Sequence, residues 1–321
     1  MSVQVQAKAV LTLRNNTCGL KSLLIGERVA WQHPPGAQRL EPQGHVLFVH
    51  GFNNSHEQAR KSYARFRGGL GKFNANARVL ELHWPGDGIK HISENALAYP
   101  AQIPRAIKCG KLLAHWIEGQ TFGANFILVG HSLGCRLILE ALKELDQRHL
   151  HRITGVCLMA AAVPVRKIKR NELGPVHTEW TDWRILYSRG DTVLGAVFHF
   201  GQILDSVFTR AVGYLGEPAN QWNQVGTREE MYDLWNEKEY YYEHGWYWPG
   251  GRVEGTSSGR AGESTPLPPI QTPKTNDGRS AMAVAEMLGI IMDRTLKRRC
   301  QPQGRAIASE REFWCRPIGE A

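Results

Sequence analysis

Hydrophobic positions along this chain gather into short apolar runs separated by amphipathic stretches. Residues 45–50 (HVLFVH) form one such run, ending at Gly51, and residues 78–83 (RVLELH) form a second, stopped by Trp84-Pro85-Gly86. Short runs with these flanks predict buried strands. Residues 99–118 place Ile103, Ile107, Leu112 and Trp116 at helical spacing, with Pro100 and Pro104 at the start, where proline is tolerated. Residues 125–129 (NFILV) are the next strand, and from Ser132 onward Leu133, Leu137, Ile138, Ala141, Leu142 and Leu145 recur at helical steps. Residues 153–160, closed by Pro164, and residues 184–187 add two strands, and residues 192–204 read as a helix. Strands alternating with helices predict an α/β fold with a mostly parallel central sheet flanked by helices on both faces.

The two ends are less regular. Residues 4–13 alternate loosely and predict an edge strand, residues 23–29 predict a second, and His33-Pro34-Pro35-Gly36 punctuates the region as loop. Residues 249–279 are rich in Gly, Ser, Thr and Pro and almost free of apolar side chains, which predicts a loop or partly disordered insertion. Residues 281–292 read as a last helix. The expected organisation is an N-terminal extension with strands over 1–40, one α/β domain over 41–297 carrying a flexible insertion near 249–279, and a C-terminal tail over 298–321. A chain of 321 residues, 42% hydrophobic, can bury a core of that size.

Composition narrows the function classes. No stretch approaches the roughly 18 consecutive apolar residues of a spanning helix. Residues 1–10 lack a basic start, an apolar centre and a cleavage site. A cytoplasmic location is expected, with export by a signal-independent route left open. The six cysteines (18, 109, 135, 157, 300 and 315) contain no CxxC pair, so neither a disulfide framework nor a zinc site is expected. Cys135 and Cys157 sit in apolar segments and read as buried thiols. No metal and no cofactor is called for. The net charge is +9, with basic clusters at residues 166–170 and 297–299. A phosphate-bearing partner or an anionic membrane is one reading of that charge, and solvated surface is the other. With no nucleic-acid motif beside it, the surface reading is preferred and no nucleic acid is expected. Peripheral membrane contact and the oligomeric state stay open.

One motif carries chemistry. Gly130-His131-Ser132-Leu133-Gly134 fits G-x-S-x-G, in which a strand turns sharply into a helix with serine at the apex. The crowded turn requires glycines two before and two after the serine. The strand before it and the amphipathic run after it supply that setting, so Ser132 is the candidate nucleophile and Gly130, His131 and Gly134 complete the elbow. Ser132 opens a helix, where unpaired N–H groups favour negative charge. Leu133 N–H is thus one candidate oxyanion donor. The loop after the first regular strand, Val49-His50-Gly51-Phe52-Asn53, is the source expected for a second donor, Phe52 N–H. Asn53 is a candidate to order that loop through its amide, and His50, before the turn, reads as structural.

A strand ending in His-Gly followed by a Gly-His-Ser-Leu-Gly elbow resembles the α/β-hydrolase superfamily, especially its lipase, esterase and thioesterase branches. Residues 46 to about 244 carry the resemblance. It implies the triad order Ser, acid, His. The acid should follow a strand beyond the elbow, and Asp191 does so after residues 184–190. Asp182 precedes that strand, and Asp205 falls in the helix-like run beyond it. A helix N-cap is the bland role for Asp191, and the two roles are compatible. Of the thirteen histidines only His199 and His244 follow Asp191. His199 lies in an apolar segment and suits packing or a pocket wall. His244, near a glycine after an apparent helix, is preferred as the base. His131 is disfavoured as base because adjacent side chains diverge on a sharp elbow.

The resulting expectation is a serine hydrolase that cleaves a carboxylic ester, with lipid esters and thioesters included, through a Ser132–His244–Asp191 triad and an acyl-enzyme. Acyl transfer with the same triad and a non-catalytic binding module on the same fold are the alternatives. The aromatic stretches Tyr240-Tyr241-Tyr242 and Trp246-Tyr247-Trp248 beside the candidate base suit either an acyl pocket or plain packing.

Overall fold

The computed structural model describes residues 7–13, 44–72, 78–86, 92–120, 123–169, 173, 181–188, 191–198, 209–216, 227–229, 244–245, 247, 284–285 and 287–288. Its centre is a seven-stranded sheet, all parallel, in the order β1-β3-β2-β4-β5-β6-β7. The strands are β1 (Ala7–Thr12), β2 (Gly44–Val49), β3 (Arg78–His83), β4 (Asn125–His131), β5 (Ile153–Met159), β6 (Asp182–Leu186) and β7 (Thr227–Glu229). The inner strands are apolar along nearly their whole length because helices cover both faces and leave no solvated side. Val46, Leu47, Phe48 and Val49 are fully buried, as are Phe126, Ile127, Leu128 and Val129.

The helices between them are α1 (His56–Lys72), α2 (Ile92–Glu118), α3 (Leu133–Glu144), α4 (Gln147–Leu150), α5 (Val165–Lys169) and α6 (Val212–Leu215). From β2 the chain steps outward to β3, then crosses back past β2 to β4 and on to β5 and β6. With right-handed crossovers, that reversal puts α1 on one face and α2 and α3 on the other. It also makes the carboxyl ends of β2 and β4 a topological switch point, where a crevice opens for a ligand. The register aligns the two ends: Val49 stands beside Gly130, and His131 beside Met159.

Strands β1 to β6 and helix α3 fall where the periodicity puts them, whereas α1, the short helices α4 to α6 and β7 were not anticipated. β1 is the expected edge strand, and the described residues Val284, Ala285, Met287 and Leu288 are helical, with Met287 against Gly155 of β5. Helix α2 departs from expectation. It begins at Ile92, so Pro100 and Pro104 lie inside it rather than at its start. Its buried face runs through Tyr99, Ile103, Ala106, Cys109, Leu113 and Ile117, while Ile107, Leu112 and Trp116 are only half-buried. The inward stripe uses small residues because α2 packs closely on α3. A Cβ on Gly110 would stand 2.6 Å from the Leu137 carbonyl oxygen. The stretch after Asp191 forms a π-helical turn, Val193–Val197.

Cys109, Cys135 and Cys157 are free, buried thiols, and burial pushes the Cys157 thiol up to about 12. Among the described residues no helix is long and apolar enough to cross a membrane. Residues 23–29, the insertion at 249–279 and the tail lie outside the described residues.

Candidate active site

The elbow forms where β4 runs out at His131 and α3 starts at Leu133. Between them Ser132 sits at φ 53°, ψ −122°, a left-handed backbone that a side chain seldom adopts. Three hydrogen bonds hold it there. Ser132 N–H donates to Met159 O (2.9 Å), and Ser132 O accepts from Cys135 N–H and Ala162 N–H (both 3.1 Å). Strain of this kind persists only where the surroundings over-determine it. The flanking glycines are required by space. A Cβ on Gly134 would stand 2.5 Å from His50 O and 2.6 Å from Val49 O, and one on Gly130 would stand 2.8 Å from Ile138 Cδ1.

A second wall comes from the loop after β2. A Cβ on Gly51 would approach Ser132 Cβ to 2.8 Å and His131 Nδ1 to 3.0 Å, so only a bare backbone passes there. Residues behind the loop fix its course. Trp84 Nε1–H donates to His50 O (2.7 Å), His50 N–H donates to Tyr63 Oη (2.9 Å), and Tyr63 O–H donates to Leu82 O (2.7 Å). Asn53, at φ 62°, donates its N–H to Gly86 O (2.7 Å). The expectation that the Asn53 amide orders the loop is corrected: Asn54 does so, its Nδ2–H reaching Gly51 O and Phe52 O at 3.3 Å each. The reason is that Asn53 takes the left-handed turn position and its side chain is exposed. Among the described residues the Phe52 and Leu133 N–H groups carry no intramolecular hydrogen bond. Phe52 follows Gly51 in the loop that passes Ser132, and Leu133 opens α3 directly after it.

The expected acid and base converge on the same point. Ser132 O–H donates to His244 Nε2 (2.8 Å), and His244 Nδ1–H donates to Asp191 Oδ2 (2.8 Å). Asp191 is fully buried, while Ser132 keeps 6% of its surface. The two carboxylate oxygens of Asp191 are divided, for Oδ1 accepts from Leu194 N–H at 2.9 Å and caps the π-helical turn. Capping and contact with the imidazole coexist on one side chain. Asp182, the poorer candidate, is occupied by Arg184 at 2.8 Å at the start of β6. His199 and Asp205 lie outside the described residues.

His131 ends β4, directly before Ser132. Its ring lies 5.0 Å from that of His244, and its Nε2–H donates to the His244 carbonyl at 2.7 Å. Burial, and after it the neighbouring His244, pulls its pKa down from 6.5 to about 3. It is therefore neutral with the proton on Nε2. Tyr99 meets Phe52 edge-on at 5.9 Å and Phe198 at 6.2 Å. Of the aromatics flanking His244, Tyr247 is described and buried; the others lie outside the described residues. Sequence reasoning missed Tyr63, Trp84 and Tyr99. Trp84-Pro85-Gly86, directly after a strand neighbouring β2, was the available signal for the first layer behind the loop.

An imidazole held between a buried carboxylate and a serine hydroxyl can accept the serine proton as the oxygen attacks. Backbone N–H groups without an intramolecular partner are the kind of donor that takes up negative charge developing on an acyl oxygen.

Residues 37–205 match the model of a family described as alpha/beta hydrolase of unknown function (DUF900). The matched stretch contains Gly51, Ser132 and Asp191, and His244 follows it. No curated protein matches the chain. Among solved structures the chain is similar to the catalytic core domain of acetyl xylan esterase from Trichoderma reesei, at 14% identity and a TM-score of 0.30. That likeness covers 38% of this chain and 65% of the esterase, so the chain spans less than two thirds of that structure's length. It is also similar to a cutinase-like protein from Cryptococcus sp. (18% identity, TM-score 0.28, 56% of this chain and 97% of that one). A third similar structure is a putative thioesterase from Silicibacter sp. tm1040 (15% identity, TM-score 0.28, 58% and 76%).

Proposed function

This chain belongs to the family of α/β hydrolases of unknown function designated DUF900, and from that footing we propose that it is a serine hydrolase cleaving carboxylic esters. The observation that carries the reading is the unbroken line from Ser132 Oγ through His244 to Asp191, with 2.8 Å at each link. In the reaction, His244 Nε2 takes the serine proton as Oγ attacks the acyl carbon. The carbonyl oxygen becomes an oxyanion held by the Phe52 and Leu133 N–H groups. Collapse of the intermediate expels the alcohol, which leaves with the proton from His244. Water, deprotonated by the same imidazole, then releases the acid and restores Ser132. Asp191 holds the tautomer and stabilises the imidazolium without taking the proton.

The aromatic line Phe52–Tyr99–Phe198 favours an ester with an apolar acyl or alcohol part. No cofactor or metal enters these steps. A fluorophosphonate probe with peptide mapping tests the proposal. An adduct on Ser132 of the folded protein, absent after denaturation, is expected; a folded protein that takes no label there removes the reading.

A further inference from the structure

The proposed triad leaves His131 without a part in the chemistry, although the imidazole is buried against the base. A histidine in an apolar elbow costs desolvation of its polar ring atoms unless they are hydrogen-bonded. Here Nε2–H is bonded, and to one specific acceptor: the backbone carbonyl of His244, 113 residues away in sequence, at 2.7 Å. Among the described residues this bond reaches the His244 main chain from the elbow itself. His131 and Ser132 are consecutive, so the backbone that aims the nucleophile also aims the donor that holds the base.

The ring has a second neighbour. Gly51 passes so close that a Cβ there would meet His131 Nδ1 at 3.0 Å. The His131 ring also lies 6.3 Å from that of Tyr247, three residues beyond His244. It thus stands between the candidate oxyanion loop and the segment bearing the base. Two loops that share no local sequence are set against one another through this side chain.

The geometry points to His131 as a positioning residue, whose Nε2–H fixes the His244 main chain so that the imidazole meets both Ser132 and Asp191. This rests on the serine-hydrolase reading above. The donor must be uncharged, because the His244 ring 5.0 Å away becomes an imidazolium each time it takes the serine proton. A permanently charged Lys or Arg would repel that cation. A neutral imidazole supplies the hydrogen bond without the repulsion, consistent with its pKa near 3.

The test is steady-state hydrolysis of a short-chain aryl ester by the full chain carrying H131Q, H131M or H131N, with Ser132→Ala in parallel. Gln brings an uncharged N–H close to the place of Nε2. Met fills the ring's volume without a donor, and Asn keeps an amide that stops short. H131Q is expected within about threefold of the parent, and H131M and H131N are expected to lose roughly ten- to a hundredfold in kcat, as for a misplaced catalytic group. KM should stay within about twofold, since the group acts on the base rather than on substrate binding. Equal activity in all three variants, or equal losses in all three, overturns the role. Near-UV circular dichroism identifies a variant that fails to fold, and the other of the Met and Asn pair then decides. An active Ser132→Ala removes the serine-hydrolase reading itself. An inactive Ser132→Ala beside a fully active H131M removes only the positioning role.

Discussion

Gly51 runs so close to Ser132 that a single methyl group on its Cα would stand 2.8 Å from the serine Cβ. The loop that carries the Phe52 N–H is thus held at van der Waals range of the candidate nucleophile by the lack of a side chain. Gly51→Ala should push the loop away and misplace that donor. Loss of one oxyanion donor lowers kcat by about 10²–10³-fold. Steady-state kinetics would read this loss, while a fluorophosphonate should still label Ser132.

The divided carboxylate of Asp191 separates two effects. Asp191→Asn keeps an acceptor for Leu194 N–H but presents the wrong group to His244, and should lower kcat by about 10⁴-fold at nearly unchanged melting temperature. Asp191→Ala also removes the cap, which costs about 1 kcal/mol more. Paired thermal melts and ester assays check both expectations. Equal melting temperatures for the two variants would contradict the capping role.

The elbow glycines should differ in their tolerance of a methyl group. At Gly134 the new Cβ meets two backbone carbonyl oxygens of β2's end, which cannot move without shifting the strand. At Gly130 its nearest neighbour is Cδ1 of Ile138 at 2.8 Å, the far end of a flexible side chain, and the nearest backbone atom, Cys135 N, stands farther off at 3.0 Å. Gly134→Ala is therefore expected to destabilise by about 1–3 kcal/mol, the range for overpacking, and Gly130→Ala by less. Urea denaturation of the two variants ranks them.

Tyr63 lies behind the loop, its hydroxyl accepting from His50 N–H and donating to Leu82 O. Tyr63→Phe leaves a buried donor and a buried acceptor without partners, at a cost of about 1–3 kcal/mol. The loop loses its rear support as well, so kcat should fall with KM little changed. A variant with full stability and full kcat would show that the tyrosine does neither.

Acidification should act through His131. Its folded pKa, about 3, lies below the ordinary 6.5, so the unfolded chain binds a proton there that the folded chain refuses. The stability it contributes is fully present above pH 6.5 and is lost as pH falls toward 3. Melting temperatures of the parent and of H131Q, measured across that window, should diverge with the parent falling more steeply. Parallel curves would mean that the imidazole does not titrate differently in the two states.

Much of this was legible in the sequence because it is local. An apolar run followed by glycine, serine, glycine and a helical stripe specifies a strand, a strained turn and a helix within about a dozen residues, whatever the rest of the chain does. The same holds for the strand before Gly51 and for Asp191 after β6. Helix α2 was only partly legible. Ile107, Leu112 and Trp116 carry the helical period, yet the small residues Ala106, Cys109 and Gly110 face inward, because close approach to α3 outweighs hydrophobicity there.

What the chain's pattern by itself determined is the parallel α/β layout, the elbow at Ser132 and a short ranking of partners. Tertiary structure decided the rest. It brought His244 to within 2.8 Å of a serine 112 residues earlier, gave Asp191 two separate tasks, and turned His131 toward the His244 carbonyl. The physical reason is that periodicity reports which face of an element is buried. The meeting of two loops depends instead on sheet order and on the space that glycines leave between them, and neither is written in any local run of residues.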